Sequence, residues 1–296
     1  MLEEKGYKVV ENRKNRPFTF LELKELVVDV DAVIAGNDAW NEDIFKLAPE
    51  LKIITRFGVG IDNIDIEKAR EYGISITNVN KMNSNAVAEL TVALMFGVVR
   101  NIQNLNISTR KGLWERFMTH EIAGMRVGLV GFGTIAQIVA KKIANFDVKI
   151  NAFDKYPNLE KAKEFGVDFL SFEDVLKNCD IVSLHLPSLK ETYHIMGEKQ
   201  FSMMKDGAYF INTARGAIVD EAAFYKALKN GKLSGAAIDV YEQEPVLTSN
   251  PLFELDNIIC TPHTAGETFE NYRATSMVTA QAIIDYFEGK VPNNLL

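Results

Sequence analysis

The sequence predicts an α/β protein built from two doubly wound parallel sheets, and three observations predict it. Short apolar runs alternate with amphipathic segments through residues 1–80 and again through residues 81–264. Such alternation implies parallel strands covered by helices on both faces. Between the two series lies an almost unbroken apolar run, Ala86–Val99, which fits a helix buried on most sides. The chain of 296 residues is long enough for two such cores.

In the first series, Tyr7–Val10, Ala32–Ala35, Ile53–Thr55 and Ile74–Thr77 are the expected strands. Leu21–Val27, Asn41–Leu47 and Ile66–Tyr72 are the helices between them. The start is unusual: Met1-Leu-Glu-Glu-Lys-Gly6 reads as the last turn of a helix with its glycine cap, with nothing before it. A leading strand and most of one helix are therefore expected to be missing. In the second series the strands are Arg126–Val130, Lys149–Phe153, Asp180–Leu184, Tyr209–Asn212, Ala236–Val240 and Asn257–Cys260. Leu159–Phe165, Phe172–Lys177 and Glu221–Lys229 are amphipathic. Ala265–Phe287 reads as a helical tail expected to pack back on the first domain.

The most specific local pattern runs from Met125 to Asp154. A buried strand is followed at once by Gly131-Phe-Gly133-Thr-Ile-Ala136, which opens a helix with apolar Ile135, Ile138, Val139 and Ile143. A second strand ends on Asp154, 21 residues past Gly133. Strand, glycine turn, helix and a distal acid together form the dinucleotide-binding fingerprint. Gly131 permits the tight turn, Gly133 lets the backbone approach a pyrophosphate, and Ala136 lets the helix sit close on the sheet. The helix N-terminus offers unpaired N–H groups to the anion. Asp154 accepts hydrogen bonds from the adenosine ribose and repels a 2′-phosphate. Lys155-Tyr156 supplies one cation and no arginine, so NAD is favoured over NADP.

Composition narrows the rest. A net charge of −7 without a basic block argues against nucleic-acid or acidic-membrane partners. No N-terminal stretch joins a basic region to an apolar core, so no signal peptide is evident. Ala86–Val99 carries Glu89 and falls short of the roughly 20 residues a membrane span needs. Cys179 and Cys260 offer neither a disulfide framework nor metal-ligand spacing. A reducing cytoplasm is the expected location.

Open parallel sheets bind ligands outside the carboxyl ends of their strands. Arg215, Asp239 with Glu244, and His263 follow three such ends. Singly, each has a bland reading as a solvated charge or a structural turn residue. Together on one rim beside a nicotinamide they suit hydride transfer to a keto acid. The guanidinium holds the carboxylate and polarises the carbonyl. The imidazole supplies a proton to the developing alkoxide, and a nearby Glu favours its protonated form. Asp239 is positioned to bond the nicotinamide carboxamide.

Four motifs make this specific: Gly131-Phe-Gly-Thr-Ile-Ala136, Asn212-Thr-Ala-Arg215-Gly-Ala-Ile-Val-Asp220, Ala237-Ile-Asp239-Val-Tyr-Glu-Gln-Glu244-Pro and Thr261-Pro-His263-Thr-Ala-Gly266. From about Lys52 to the C-terminus the chain resembles the D-isomer-specific 2-hydroxyacid dehydrogenases. The resemblance implies a Rossmann cofactor domain, 81–264, inserted into a flavodoxin-like substrate domain formed by 1–80 and 265–296. It implies a cleft that closes over the substrate, hinged near Asn80–Asn83 and Ala265. By position, Arg215 binds substrate, Glu244 supports the acid/base, and His263 transfers the proton. Cofactor contacts fall on Thr134 and Ile135 at the pyrophosphate, Asp154 at the ribose, Leu186 and Pro187 near the adenine, Thr213, and Asp239 at the nicotinamide. His185, before Pro187 in that pattern, reads first as a packed strand-end histidine.

Arg56-Phe-Gly-Val-Gly60 is similar to the substrate loop of phosphoglycerate dehydrogenases, where Arg-Ala-Gly is usual. Backbone N–H groups of Val59 and Gly60 suit a carboxylate, and Arg56 suits a phosphate unless it pairs with Asp62 or a neighbour. Phe57 departs from the usual small residue. The resemblance puts 3-phosphoglycerate/3-phosphohydroxypyruvate first, with glyoxylate/hydroxypyruvate reductase or D-lactate-type activity as alternatives. An NADH-sensing corepressor is a distant one. Formate dehydrogenases typically carry Gln where Glu244 stands. A homodimer is the family expectation, and Leu113-Trp114 suit burial against a second subunit.

Overall fold

The structure, a computed structural model, describes residues 1–14 and 16–296. The chain divides into two compact units, Met1–Asn83 with Gly266–Leu296, and Ser84–Ala265.

In the first unit, β1 (Ala32–Ala35), β2 (Ile53–Arg56) and β3 (Ser75–Thr77) form a three-stranded parallel sheet in that order. β2 is central, and Ile53, Ile54 and Thr55 are buried, as a strand covered on both faces requires. Helix Phe20–Leu26 starts at a capping box made by Thr19 and Glu22. Leu23, Trp40, Ile44 and Phe45 fill the core beside Ile54 and Ile76. Helix Phe269–Phe287 lies on β1 and β2. It begins after Thr268, whose hydroxyl accepts the Asn271 N–H at 3.1 Å, and not at Ala265 as the sequence suggested. The N–H groups of Thr264 and Ala265 are bound to Asp239 instead.

Tyr7–Val10, expected as a strand, forms none. A strand exists only through its neighbour's hydrogen bonds, and these residues pair with no strand of the sheet. Val9 and Val10 are exposed. Before them Glu3–Lys5 make a single 3₁₀ turn, closed by Gly6 at φ 87°.

The second unit contains β4 (Arg126–Val130), β5 (Lys149–Phe153), β6 (Val167–Phe169), β7 (Ile181–Leu184), β8 (Ala208–Asn212), β9 (Leu233–Ile238) and β10 (Ile258–Cys260). They form one parallel sheet in the order β10-β9-β8-β7-β4-β5-β6. Strand order reverses between β4 and β7, the switch point at which such sheets bind ligands. One face carries Val175, Phe201, Phe210 and Phe224. The other carries Met95, Val98, Val139, Ile143 and Ile211. Helix Ser84–Val99 packs there against helix Thr134–Ile143 and against β8, β9 and β10.

Among the strands and α-helices of the described residues, three were not legible in the sequence. β6 is a three-residue Val-Asp-Phe edge strand, defined by pairing with β5. Helix Ile102–Arg110 follows Asn101, whose φ of 50° breaks it from the preceding helix. Helix Glu198–Met203 is too short to show a period. No single helix among the described residues is long and apolar enough to cross a membrane.

Candidate active site

All seven strands of the large sheet run parallel, so the residues that follow β4, β7, β8, β9 and β10 emerge on one edge. The glycine turn after β4 is built as its sequence requires. Gly131 adopts φ 93°, and a Cβ there would lie 2.7 Å from the His185 carbonyl oxygen. Its N–H donates to the Phe153 carbonyl at 2.7 Å, tying the turn to β5. Asp154 reinforces that tie: Oδ2 accepts the Phe132 N–H at 2.6 Å and Oδ1 accepts the Tyr156 N–H at 2.8 Å. Gly133 is the N-cap of helix Thr134–Ile143, without a side-chain cap. A Cβ on Gly133 would meet no heavy atom within 4 Å. Gly133 therefore borders open space, and the half-buried first turn, with Thr134 and Ile135, has no side-chain cap on its amides, which fits a dinucleotide pyrophosphate.

Past β10, His263 sits at φ 51°, held by its N–H donating to the Asp239 carbonyl at 2.7 Å. Its Nδ1 lies 2.6 Å from Glu244 Oε2. The side chains are 36% and 32% exposed, so the pair borders solvent without being fully hydrated. Glu244 Oε1 accepts the Tyr241 N–H at 3.0 Å, and the Tyr241 hydroxyl donates to the Thr261 carbonyl at 3.0 Å. Burial pushes the Glu244 carboxyl up. His263, the Tyr241 amide and the Arg215 charge outweigh it and hold the carboxyl below its ordinary value. Glu244 is thus anionic at neutral pH and accepts the Nδ1 proton of His263, which leaves Nε2 to exchange a proton with a ligand.

Arg215 is half-buried three residues beyond β8, and its Nη1 donates to the Ala214 carbonyl at 2.7 Å. Asn212 shapes this turn from both ends, accepting the Ala214 N–H at 3.0 Å and donating to the Arg215 carbonyl at 2.9 Å. Thr213 is buried, with Oγ1 2.7 Å from Thr91 Oγ1. Thr91 gives its proton to the Val87 carbonyl at 2.7 Å, so the Thr213 hydroxyl must donate to Thr91. Its remaining lone pairs are then the acceptors it can offer a ligand. Sequence reasoning missed Thr91, although a hydroxyl within an otherwise apolar helical stretch was a signal for it.

Asp239 is fully buried. It lies one residue past β9 and not within a strand reaching Val240, as the sequence suggested. Its Oδ1 accepts the Thr261 hydroxyl at 2.5 Å and the Thr264 N–H at 2.9 Å. Oδ2 accepts the Ala265 N–H at 2.9 Å. Asp239 therefore holds the turn that carries His263. His185, after β7, has Nε2 3.0 Å from the Ser183 hydroxyl, and burial lowers its pKa to about 4. It is neutral at physiological pH. The chain continues through Leu186 to Pro187, whose carbonyl accepts the Thr192 hydroxyl at 2.7 Å.

In the first unit, Arg56 ends β2 and folds onto the segments that follow β1 and β2. Nη1 donates to the Phe57 carbonyl at 2.7 Å and to the Ala35 carbonyl at 3.4 Å. Nη2 donates to Asn37 Oδ1 at 2.7 Å, and Nε donates to Asn63 Oδ1 at 3.3 Å. At least four of its five N–H donors are engaged by these partners. Val59 and Gly60 follow in the bend after β2, where Val59 accepts the Asn78 amide at 3.0 Å.

A seven-stranded doubly wound sheet with a glycine turn at its switch point, and an imidazole–carboxylate pair on the same edge, defines a dinucleotide-binding oxidoreductase. Residues 92–265 match the D-isomer specific 2-hydroxyacid dehydrogenase NAD-binding domain. The chain is 38% identical to a glyoxylate reductase of Thermococcus litoralis, over 93% of this chain and 86% of the relative. It is 38% identical to a D-3-phosphoglycerate dehydrogenase of Archaeoglobus fulgidus, over 92% of this chain and 53% of that longer relative. Its structure is similar to that of a D-lactate dehydrogenase from Aquifex aeolicus complexed with NAD and lactic acid. The TM-score is 0.84 at 29% identity, over 92% of this chain and 88% of that one. The chain belongs to the D-isomer-specific 2-hydroxyacid dehydrogenase family and is an NAD-dependent oxidoreductase.

Proposed function

We propose that the chain reduces a short, unphosphorylated 2-keto acid of the glyoxylate or hydroxypyruvate class to its D-2-hydroxy acid, with NADH as reductant. The observation that carries the chemistry is the 2.6 Å contact between His263 Nδ1 and Glu244. With Nδ1 committed, Nε2 protonates the carbonyl oxygen as negative charge develops on it. Arg215 holds the substrate carboxylate and polarises the adjacent carbonyl through its fork of donors. The nicotinamide, when bound, supplies the hydride. Gly131, Gly133, Thr134 and Ile135 would hold its pyrophosphate, with Leu186 and Pro187 flanking the adenine and Thr213 accepting from the carboxamide. Asp154 would bond the ribose and disfavour a 2′-phosphate, so NAD is preferred to NADP.

Arg56 supports the substrate class. A guanidinium whose donors are engaged by Ala35, Asn37, Phe57 and Asn63 has no free fork for a phosphate. Backbone N–H groups of Val59 and Gly60 would then suit a carboxylate and leave a phosphate without a guanidinium there. The phosphorylated pair, first by resemblance, ranks second. It is favoured by the arginine itself and by the phosphoglycerate dehydrogenases, of which the chain spans about half. NADH oxidation measured with glyoxylate, hydroxypyruvate, pyruvate and 3-phosphohydroxypyruvate decides between them. The expected result is a higher kcat/KM for glyoxylate or hydroxypyruvate than for the phosphorylated acid, and the reverse ranking overturns the assignment. Loop 111–118 exposes Trp114 and Met118 at 79% and 97%, beside exposed Leu113 and Phe117. Apolar area of this kind suits a second copy of the chain, so light scattering is expected to report a dimer.

A further inference from the structure

We propose that His194 is a positioning residue for the His263–Glu244 pair, acting through Glu242; this rests on the catalytic reading given above. Glu242 stands two residues before Glu244 in the turn Tyr241–Pro245. Its carboxylate oxygen Oε1 is bonded to His194 Nε2, and Oε2 faces the Glu221 N–H at 3.4 Å. The Glu242 N–H in turn donates to Glu221 Oε1 at 2.7 Å. Glu221 is itself braced by the Asn250 amide at 3.0 Å. The turn that presents Glu244 is thus pinned by its neighbouring carboxylate.

The other end of the pin lies in the segment that follows Arg215. The His194 N–H donates to the Ala217 carbonyl at 3.0 Å, and the Met196 N–H donates to the Ile218 carbonyl at 3.1 Å. His194 adopts φ 49°, and its ring stacks on Tyr193 with centroids 4.0 Å apart. Gly216 closes the arrangement: a Cβ there would lie 1.8 Å from the Tyr241 carbonyl oxygen. The Arg215 segment and the Glu244 turn therefore touch backbone to backbone, and His194 bonds to both. The His194–Glu242 contact is one-third exposed (31% and 33%), a setting in which such contacts contribute little to global stability. Its effect falls on geometry, and a displacement of about 1 Å at a catalytic pair lowers turnover substantially.

The test compares His194→Ala, His194→Gln and His263→Ala in the full chain by steady-state turnover of the best keto acid, NADH titration and thermal melting. His194→Ala is expected to lower kcat roughly tenfold, with NADH affinity and Tm close to the parent. His194→Gln, which keeps a donor for Glu242, is expected to recover most of the loss. Parent-like kcat in His194→Ala overturns the proposal, as does equal loss in both variants or a loss matched by weaker NADH binding. His263→Ala separates the two levels: if it retains turnover the catalytic reading has failed, and if it alone loses turnover only the role of His194 has.

Discussion

His185 follows β7 and His263 follows β10, so both stand on the same edge of one parallel sheet. Their surroundings make them different chemical objects. His185 meets a serine hydroxyl, and burial holds it neutral with a pKa of about 4. His263 meets the carboxylate of Glu244, which Arg215 and His263 keep ionised. A strand end places an imidazole near a ligand; the partner on its far nitrogen decides whether it can work as an acid.

The sharpest way to break this contrast is to remove each imidazole in turn. His263→Ala is expected to lower turnover by roughly 100-fold or more with NADH binding nearly intact, whereas His185→Gln keeps kcat within about threefold. Comparable losses in both would erase the distinction. Glu244→Gln, which retains an acceptor without the charge, is expected to lower kcat by about tenfold; parent-like turnover would show that the charge does not matter. On the other side of the rim, Asp154→Ala is expected to raise KM for NADH by about tenfold and to leave KM for NADPH less affected. Equal changes for the two nucleotides would contradict a ribose contact.

The smallest effect concerns stability. His185 takes up a proton near pH 4 when folded and near pH 6.5 when unfolded. Between those values the unfolded chain binds more protons, so stability falls as pH drops through the window. His185→Gln is expected to flatten the decline of Tm between pH 6.5 and pH 4. An unchanged slope would mean that His185 protonates alike in both states.

How much of this was readable beforehand depends on what specifies each feature. The glycine turn and Asp154 were legible because a fixed covalent spacing fixes the turn, and β4 and β5 sit where their apolar runs placed them. Tyr7–Val10 misled because apolar alternation describes a strand's willingness to pair and says nothing of whether a neighbour is there. β6 failed in the opposite direction, a three-residue strand known only through β5. Asp239 was flagged as a nicotinamide contact, and the structure adds a role that its residue type did not announce: its oxygens accept from Thr261, Thr264 and Ala265. Arg56 was flagged for a phosphate, yet its fork closes on Phe57, Asn37 and Asn63. Residue type announces which bonds a side chain can make, and the fold decides which of them are already spent.

The contact between Gly216 and the Tyr241 carbonyl bears on how this enzyme can be altered. Residues 213–219 and 241–245 meet where there is no room for a methyl group, so they behave as one heritable part. A chimera keeps the seam only if the imported 213–219 segment carries glycine at 216, since any Cβ there meets the backbone of Tyr241 and Glu242. Attempts to retune specificity by exchanging loops should treat the two as a single cassette.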